Sequence, residues 1–176
     1  MNSEYRAIIR AKIVEGLEQR VPIFTRREVY VPGIRGKVLA VIGMRRSGKT
    51  TFLWQCLADR LAAGAPRSTL LYMNFEDERL VGMTTADLQW VVEEYYSLYP
   101  EYRDGQQVTF FLDEIQLVQG WEAFVRRLMD TEKIELFISG SSARLLSREV
   151  ATSMRGRAME VLVHPFSLRE VLRHHG

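Results

Sequence analysis

The chain has a single cysteine, Cys56, among its 176 residues, so no disulfide can close within it. That thiol falls where a helix is expected, which fits a small packed residue; a reactive thiol is the other reading. Missing too is any apolar run near the ~20 residues that a membrane span needs. The amino-terminal stretch MNSEYRAIIRAKIVEG lacks the unbroken apolar segment of a secretory signal. A cytoplasmic protein with no membrane contact is therefore expected. Charge of one sign is also scarce: 24 Lys and Arg against 22 Asp and Glu leave +2, too little to argue for nucleic-acid binding. The histidines, His164, His174 and His175, stand at no metal-ligand spacing from one another or from cysteine and acidic residues, which argues against zinc. There is no internal repeat and no low-complexity segment. What is left is about one globular domain, long enough to bury a core.

What is present alternates. Between Tyr5 and Leu17, the residues Tyr5, Ile8, Ile9, Ile13 and Leu17 share one helical face. Pro22, Pro32 and Gly33 mark an extended, basic connector. KVLAVIG reads as a buried strand, and Thr50 to Ala63 as a helix ended near Gly64–Pro66. STLLYMNFE is a second strand, followed by a helix from Thr84 to Tyr99 that Pro100 stops. QVTFFLDE is a third, and Trp121 to Thr131 a helix with Trp121, Phe124, Val125, Leu128 and Met129 inward. IELFISG is a fourth, Ser142 to Val150 a helix, AMEVLVHP a fifth strand, and Ser167 onward another helix. Apolar strands separated by helices predict an α/β fold with a largely parallel sheet covered on both faces. Such sheets bind ligands at the carboxyl ends of their strands. Gly43, Asn74, Asp113–Glu114 and the serines from Ser139 to Ser142 all fall at those ends.

The stretch GMRRSGKT carries the chemistry. Gly43, Gly48, Lys49 and Thr50 fit the phosphate-loop pattern G-x-x-x-x-G-K-[ST], with a strand before and a helix after. Glycines let successive amides turn inward toward phosphate oxygens, and the helix adds its positive amino-terminal end. Lys49 would reach the terminal phosphates and Thr50 would ligate magnesium. The expected nucleotide-binding set is Gly43, Met44, Arg45, Arg46, Ser47, Gly48, Lys49, Thr50 and Thr51. Arg45 and Arg46 could face the phosphates, an acidic segment such as FEDER, or solvent. Hydrolysis needs a second element, and TFFLDE offers it. Asp113 at the strand end would orient the magnesium shell, and Glu114 would orient the attacking water or accept its proton. Two acids at a strand end are otherwise common turn residues; beside a phosphate loop they gain meaning.

GMRRSGKT, NFEDERL, FFLDEIQLVQGWEAFVRRL, LFISGSSARLLS and RGRAMEVLVHPFSLREVL together resemble the AAA+ superfamily. More narrowly, they resemble bacterial and archaeal AAA-type ATP-binding proteins that carry a nuclease-like carboxy-terminal domain. The likeness covers about Arg26 to the end of the chain. It implies a three-layer α/β/α P-loop NTPase with a five-stranded parallel sheet in the order 5-1-4-3-2. It also implies ATP and Mg2+ as cofactors. On this reading residues 1–25 form an amino-terminal helix and connector, and 26–176 the ATPase core. Three roles follow only from the likeness. Ser141, or else Ser139, is the polar sensor, with Ser142 equally readable as a helix cap. Arg157 or Arg155 is an arginine finger completing a neighbouring subunit's site, or a structural arginine. Asn74 restrains the glutamate. The connector from Arg20 to Lys37 would frame the adenine or form an arm touching nucleic acid.

Members of that family continue into a helical lid, whereas SLREVLRHHG ends inside the next helix. ATP binding with slow turnover is therefore expected, in an ATPase that could self-associate and act on an unknown protein or nucleic-acid target. A nucleotide-gated switch is the alternative function.

Overall fold

Four runs of mostly buried residues and a fifth, more exposed one supply the strands of the computed structural model, which describes residues 3–33, 36–103, 105–140, 154 and 156–175. They are β1 (Val38–Ile42), β2 (Leu70–Asn74), β3 (Val108–Asp113), β4 (Ile134–Gly140) and β5 (Ala158–Leu162). All pair in parallel, in the order β2-β3-β4-β1-β5, which is the expected 5-1-4-3-2 read from the other side. Among the described residues, five α-helices surround them: α1 (Ser3–Glu18), α2 (Lys49–Ala62), α3 (Thr85–Leu98), α4 (Trp121–Thr131) and α5 (Leu168–His175). The helix expected over Ser142–Val150 lies outside the described residues.

Side chains alternate across a strand, so each run feeds two cores. Val38, Ala40, Phe110 and Leu112 point to one face and join the inward residues of α1, α3 and α4. Leu39, Val41, Phe111 and Phe137 point to the other and meet Phe52, Leu53 and Leu57 of α2. Both faces of the sheet are thereby covered over β1 to β4, as in other parallel sheets, while the edge strand β5 is more exposed. On α2, Cys56 is part of this packing. Burial pushes its thiol up to about 12, which leaves it protonated at neutral pH.

Polar contacts fix the helices. Arg6 and Arg10 of α1 donate to the buried Glu94 carboxylate of α3 at 2.5 and 2.7 Å. Burial raises the Glu94 carboxyl, but the two guanidiniums more than offset it and hold it below its usual range. The Thr84 amide donates to Asp87 Oδ2 at 3.0 Å, a capping box that starts α3. Among the described residues, no helix is long and apolar enough to cross a membrane.

Register decides what meets at the carboxyl edge. Asn74 lies opposite Asp113, Val41 opposite Ser139, and Ile42 opposite Gly140. The polar residues that follow each apolar run therefore collect along one rim of the sheet.

Candidate nucleotide-binding site

The loop after β1 is built by close approach. A Cβ on Gly43 would sit 2.3 Å from the Val163 carbonyl oxygen and 2.6 Å from Ser47 Oγ, so no side chain fits there. Gly48 adopts φ +91°, a left-handed conformation that glycine takes without penalty, and α2 begins at Lys49. Met44, Arg45 and Arg46 are exposed, while Ser47 and Lys49 are buried. Lys49 Nζ folds back across the loop and donates to the Met44 carbonyl at 3.1 Å. Ser47 Oγ is buried with no hydrogen-bond partner among the described residues, a hydroxyl the loop leaves uncommitted.

Asp113 is fully buried at the end of β3, and three hydroxyls converge on its carboxylate. Thr50 Oγ1 and the Tyr72 hydroxyl each donate to Oδ2 at 2.8 Å, and Ser139 Oγ donates to Oδ1. A buried carboxylate is tolerated only with such partners. Burial pushes the Tyr72 phenol far above its ordinary value, and the neighbouring Asp113 charge and hydrogen bond add to that, so Tyr72 remains a donor. Ser139 also accepts the Glu114 amide at 3.1 Å, which ties the two acids together through one hydroxyl.

Glu114 sits at φ 57°, ψ 37°. A left-handed conformation costs a non-glycine residue roughly 1–2 kcal/mol and concentrates at functional sites. Its Oε2 accepts from Gln116 Nε2 at 2.6 Å. With Arg45, Arg46, Gly48, Lys49, Thr50 and Glu76, it lines a cavity of about 300 Å³. Both loop arginines thus border the same cavity as Glu76, which belongs to the FEDER segment. Asn74 Oδ1 accepts the Glu76 amide at 2.8 Å and shapes that segment's turn.

The remaining expectations fall elsewhere. Arg157 precedes β5, at the amino-terminal edge of the sheet, and donates to both carboxylate oxygens of Asp130 at 2.8 Å. The five residues of β5 stand between it and the loop's edge, about 17 Å at strand rise. Any action of Arg157 on a phosphate would therefore be on another subunit's. Ser141, Ser142 and Arg155 lie outside the described residues.

Two contributors escaped the sequence. Tyr72 is a polar tip in an apolar strand, with no spacing to mark it. Arg27, in the basic connector, is buried behind the phosphate loop rather than extended as an arm. Its Nη1 donates to the Ser47 carbonyl at 2.7 Å, Nη2 to the His164 carbonyl at 2.5 Å, and Nε to Glu170 at 2.9 Å. Burial raises the Glu170 carboxyl, but the Ser167 and Glu28 amides and Arg27 outweigh it, leaving it at about 2. The S-x-x-E box of SLRE was the one legible trace of this arrangement.

A parallel sheet in this order, with a glycine-rich loop between its β1 strand and a helix, defines a three-layer α/β/α P-loop NTPase. Within that class the chain belongs to the AAA domain family, whose model matches residues 35–172. It is thus an AAA+ nucleotide-binding P-loop ATPase domain in general kind. It is 36% identical over 147 residues to an uncharacterized protein of Methanocaldococcus jannaschii, covering 84% of this chain and 31% of that protein. An uncharacterized protein of Haemophilus influenzae is 34% identical over 139 residues, covering 77% of this chain and 33% of its own length. The chain therefore spans about a third of the curated relatives it matches. The structure of C. elegans PCH-2 is similar at TM-score 0.44 and 11% identity, over 90% of this chain and 41% of that one.

Proposed function

We propose that the site binds ATP with magnesium and hydrolyses it to ADP and phosphate. The observation that carries this reading is the 2.8 Å hydrogen bond between Thr50 and Asp113, with Glu114 lining the same cavity as Lys49. Loop amides and Lys49 would hold the phosphates. Thr50 and Asp113 are a hydroxyl and a carboxylate already side by side, the sparse oxygen set that suits magnesium. When bound, magnesium neutralises phosphate charge. Glu114 would orient the attacking water and take its proton. Arg157 would serve a neighbouring subunit, which makes a homo-oligomer the working form. The work driven would fall on a protein or nucleic-acid target, and turnover by this chain alone would be slow.

A nucleotide-gated switch is the second reading. Gln116 favours it, because its amide on Oε2 competes with a water for that oxygen.

ATP binding and phosphate release, measured across protein concentrations for the wild type, Lys49→Ala and Glu114→Gln, separate the two. An ATPase requires binding to be lost in the lysine variant and kept in the glutamine variant, with release lowered at least a hundredfold in both. Specific activity rising with concentration would support Arg157 acting between subunits. Tight wild-type binding without release would leave only the switch, and absent binding would end both.

A further inference from the structure

We propose that Arg27 is the positioning residue of the phosphate loop: by holding the Ser47 carbonyl, it aims the Gly48 amide into the cavity. This deepens the nucleotide reading and rests on it.

The argument begins with one peptide plane. In a trans peptide, C=O and N–H point in opposite directions, and the described chain contains no cis bond. Arg27 Nη1 takes the Ser47 carbonyl at 2.7 Å on the inner side of the loop. The N–H of the same plane belongs to Gly48, so it faces away from Arg27, and Gly48 lines the cavity beside Lys49 and Thr50. A flipped plane would present a carbonyl to a phosphate, replacing attraction by repulsion. Gly48 carries no side chain to resist such a flip, and its φ of +91° lies where glycine moves freely. Something outside the loop must hold the plane.

Arg27 is itself held hard enough to do so. Only 4% of its surface is exposed. Gln55 of α2 pairs with its backbone twice, accepting from the Arg27 amide at 2.7 Å and donating to its carbonyl at 3.1 Å. Its guanidinium lies 4.8 Å from the Phe166 ring centroid. Glu170 fixes Nε and also accepts the Ser167 and Glu28 amides at 2.7 and 3.0 Å. A planar fork with its donors divided among a carboxylate and two carbonyls has one orientation, which lysine cannot reproduce. A Cβ added to Gly48 would come within 2.9 Å of Nη1, so the loop glycine and the arginine also fit each other sterically. The arrangement further links α5 to the loop, since Glu170 belongs to that helix.

The test is ADP affinity by calorimetry, below the melting midpoint, for the wild type, Arg27→Met, Arg27→Lys and Lys49→Ala. It is paired with the Gly48 amide resonance in the wild type. Arg27→Met is expected to raise the ADP Kd about tenfold or more, and Arg27→Lys by a smaller factor in the same direction. The wild-type Gly48 amide is expected to shift on saturation with ADP. A purely structural role would lower the melting midpoint and leave the Kd of the folded chain unchanged. Should Arg27→Met not fold, Arg27→Lys and the wild-type resonance decide. An Arg27→Lys Kd equal to wild type, or a Gly48 amide unmoved by saturating ADP, overturns the proposal. Loss of binding in Lys49→Ala alone would sink only the role of Arg27, whereas no ADP binding by the wild type would sink the nucleotide reading with it.

Discussion

The two edges of the sheet treat charge in opposite ways. At the carboxyl edge, Lys49, Asp113 and Ser139 are at most 5% exposed, and single groups are shared: one carboxylate takes three hydroxyls, and Ser139 bridges two acids. At the amino-terminal edge, Arg157 pairs with Asp130 facing water, at 45% and 58% exposure, and Glu135, with Arg60 and Thr109, stays partly exposed. A cavity larger than the nucleotide-site one, about 580 Å³, is at that second edge, beside Lys37, Lys133 and Glu135. Size alone would choose it. Desolvated polar groups that converge on one point choose the smaller one, since burial is costly unless a structure is built to offset it.

Breaking the carboxyl edge should have the largest effect. Asp113→Ala removes the acceptor of three hydroxyls, those of Tyr72 and Ser139 buried, and is expected to cost about 3 kcal/mol in chemical denaturation. It should also abolish any magnesium-dependent gain in ATP affinity. A variant as stable as wild type would show that the shared carboxylate matters little to the fold. Tyr72→Phe is the finer cut. Asp113 keeps two donors, so the cost should be about 1 kcal/mol, while the magnesium concentration for half-maximal ATP binding rises. Superimposable magnesium titrations would reduce Tyr72 to a packing residue. Smallest of all should be Asp130→Ala at the other edge, which exposed ion pairs predict to be within about 1 kcal/mol of wild type. A larger loss there would erase the contrast between the edges.

Much of the fold was legible because parallel strands buried on both faces read as unbroken apolar runs. KVLAVIG and TFFLDE announce themselves, and the helix over Trp121–Thr131 was placed at its observed bounds. Strand order was not in those runs; it came with the family likeness. The phosphate loop and its acids were legible as well, because glycine, lysine and adjacent carboxylates at fixed spacing are rare together. Of the two sensor candidates, Ser139 is joined to Asp113 and Glu114, while Ser141 lies outside the described residues. Arg27 and Tyr72 were hidden for different reasons. Tyrosine is ordinary in a strand, and only register reveals that its hydroxyl reaches β3. One arginine among several in a connector gives no periodicity, and its partner lies far along the chain.

That distance bears on synthesis. β1 has only β4 and β5 as neighbours, so the strand that presents the phosphate loop waits unpaired while the middle of the chain is made. Arg27 waits longer, for Glu170, 143 residues later. At ribosomal rates of roughly 5–20 residues per second, the delay is on the order of 7–30 s. β2 and β3 can already pair with each other during that interval. A nascent chain should therefore carry a complete GMRRSGKT segment long before it can grip a nucleotide, and gain that grip only once Glu170 has been made.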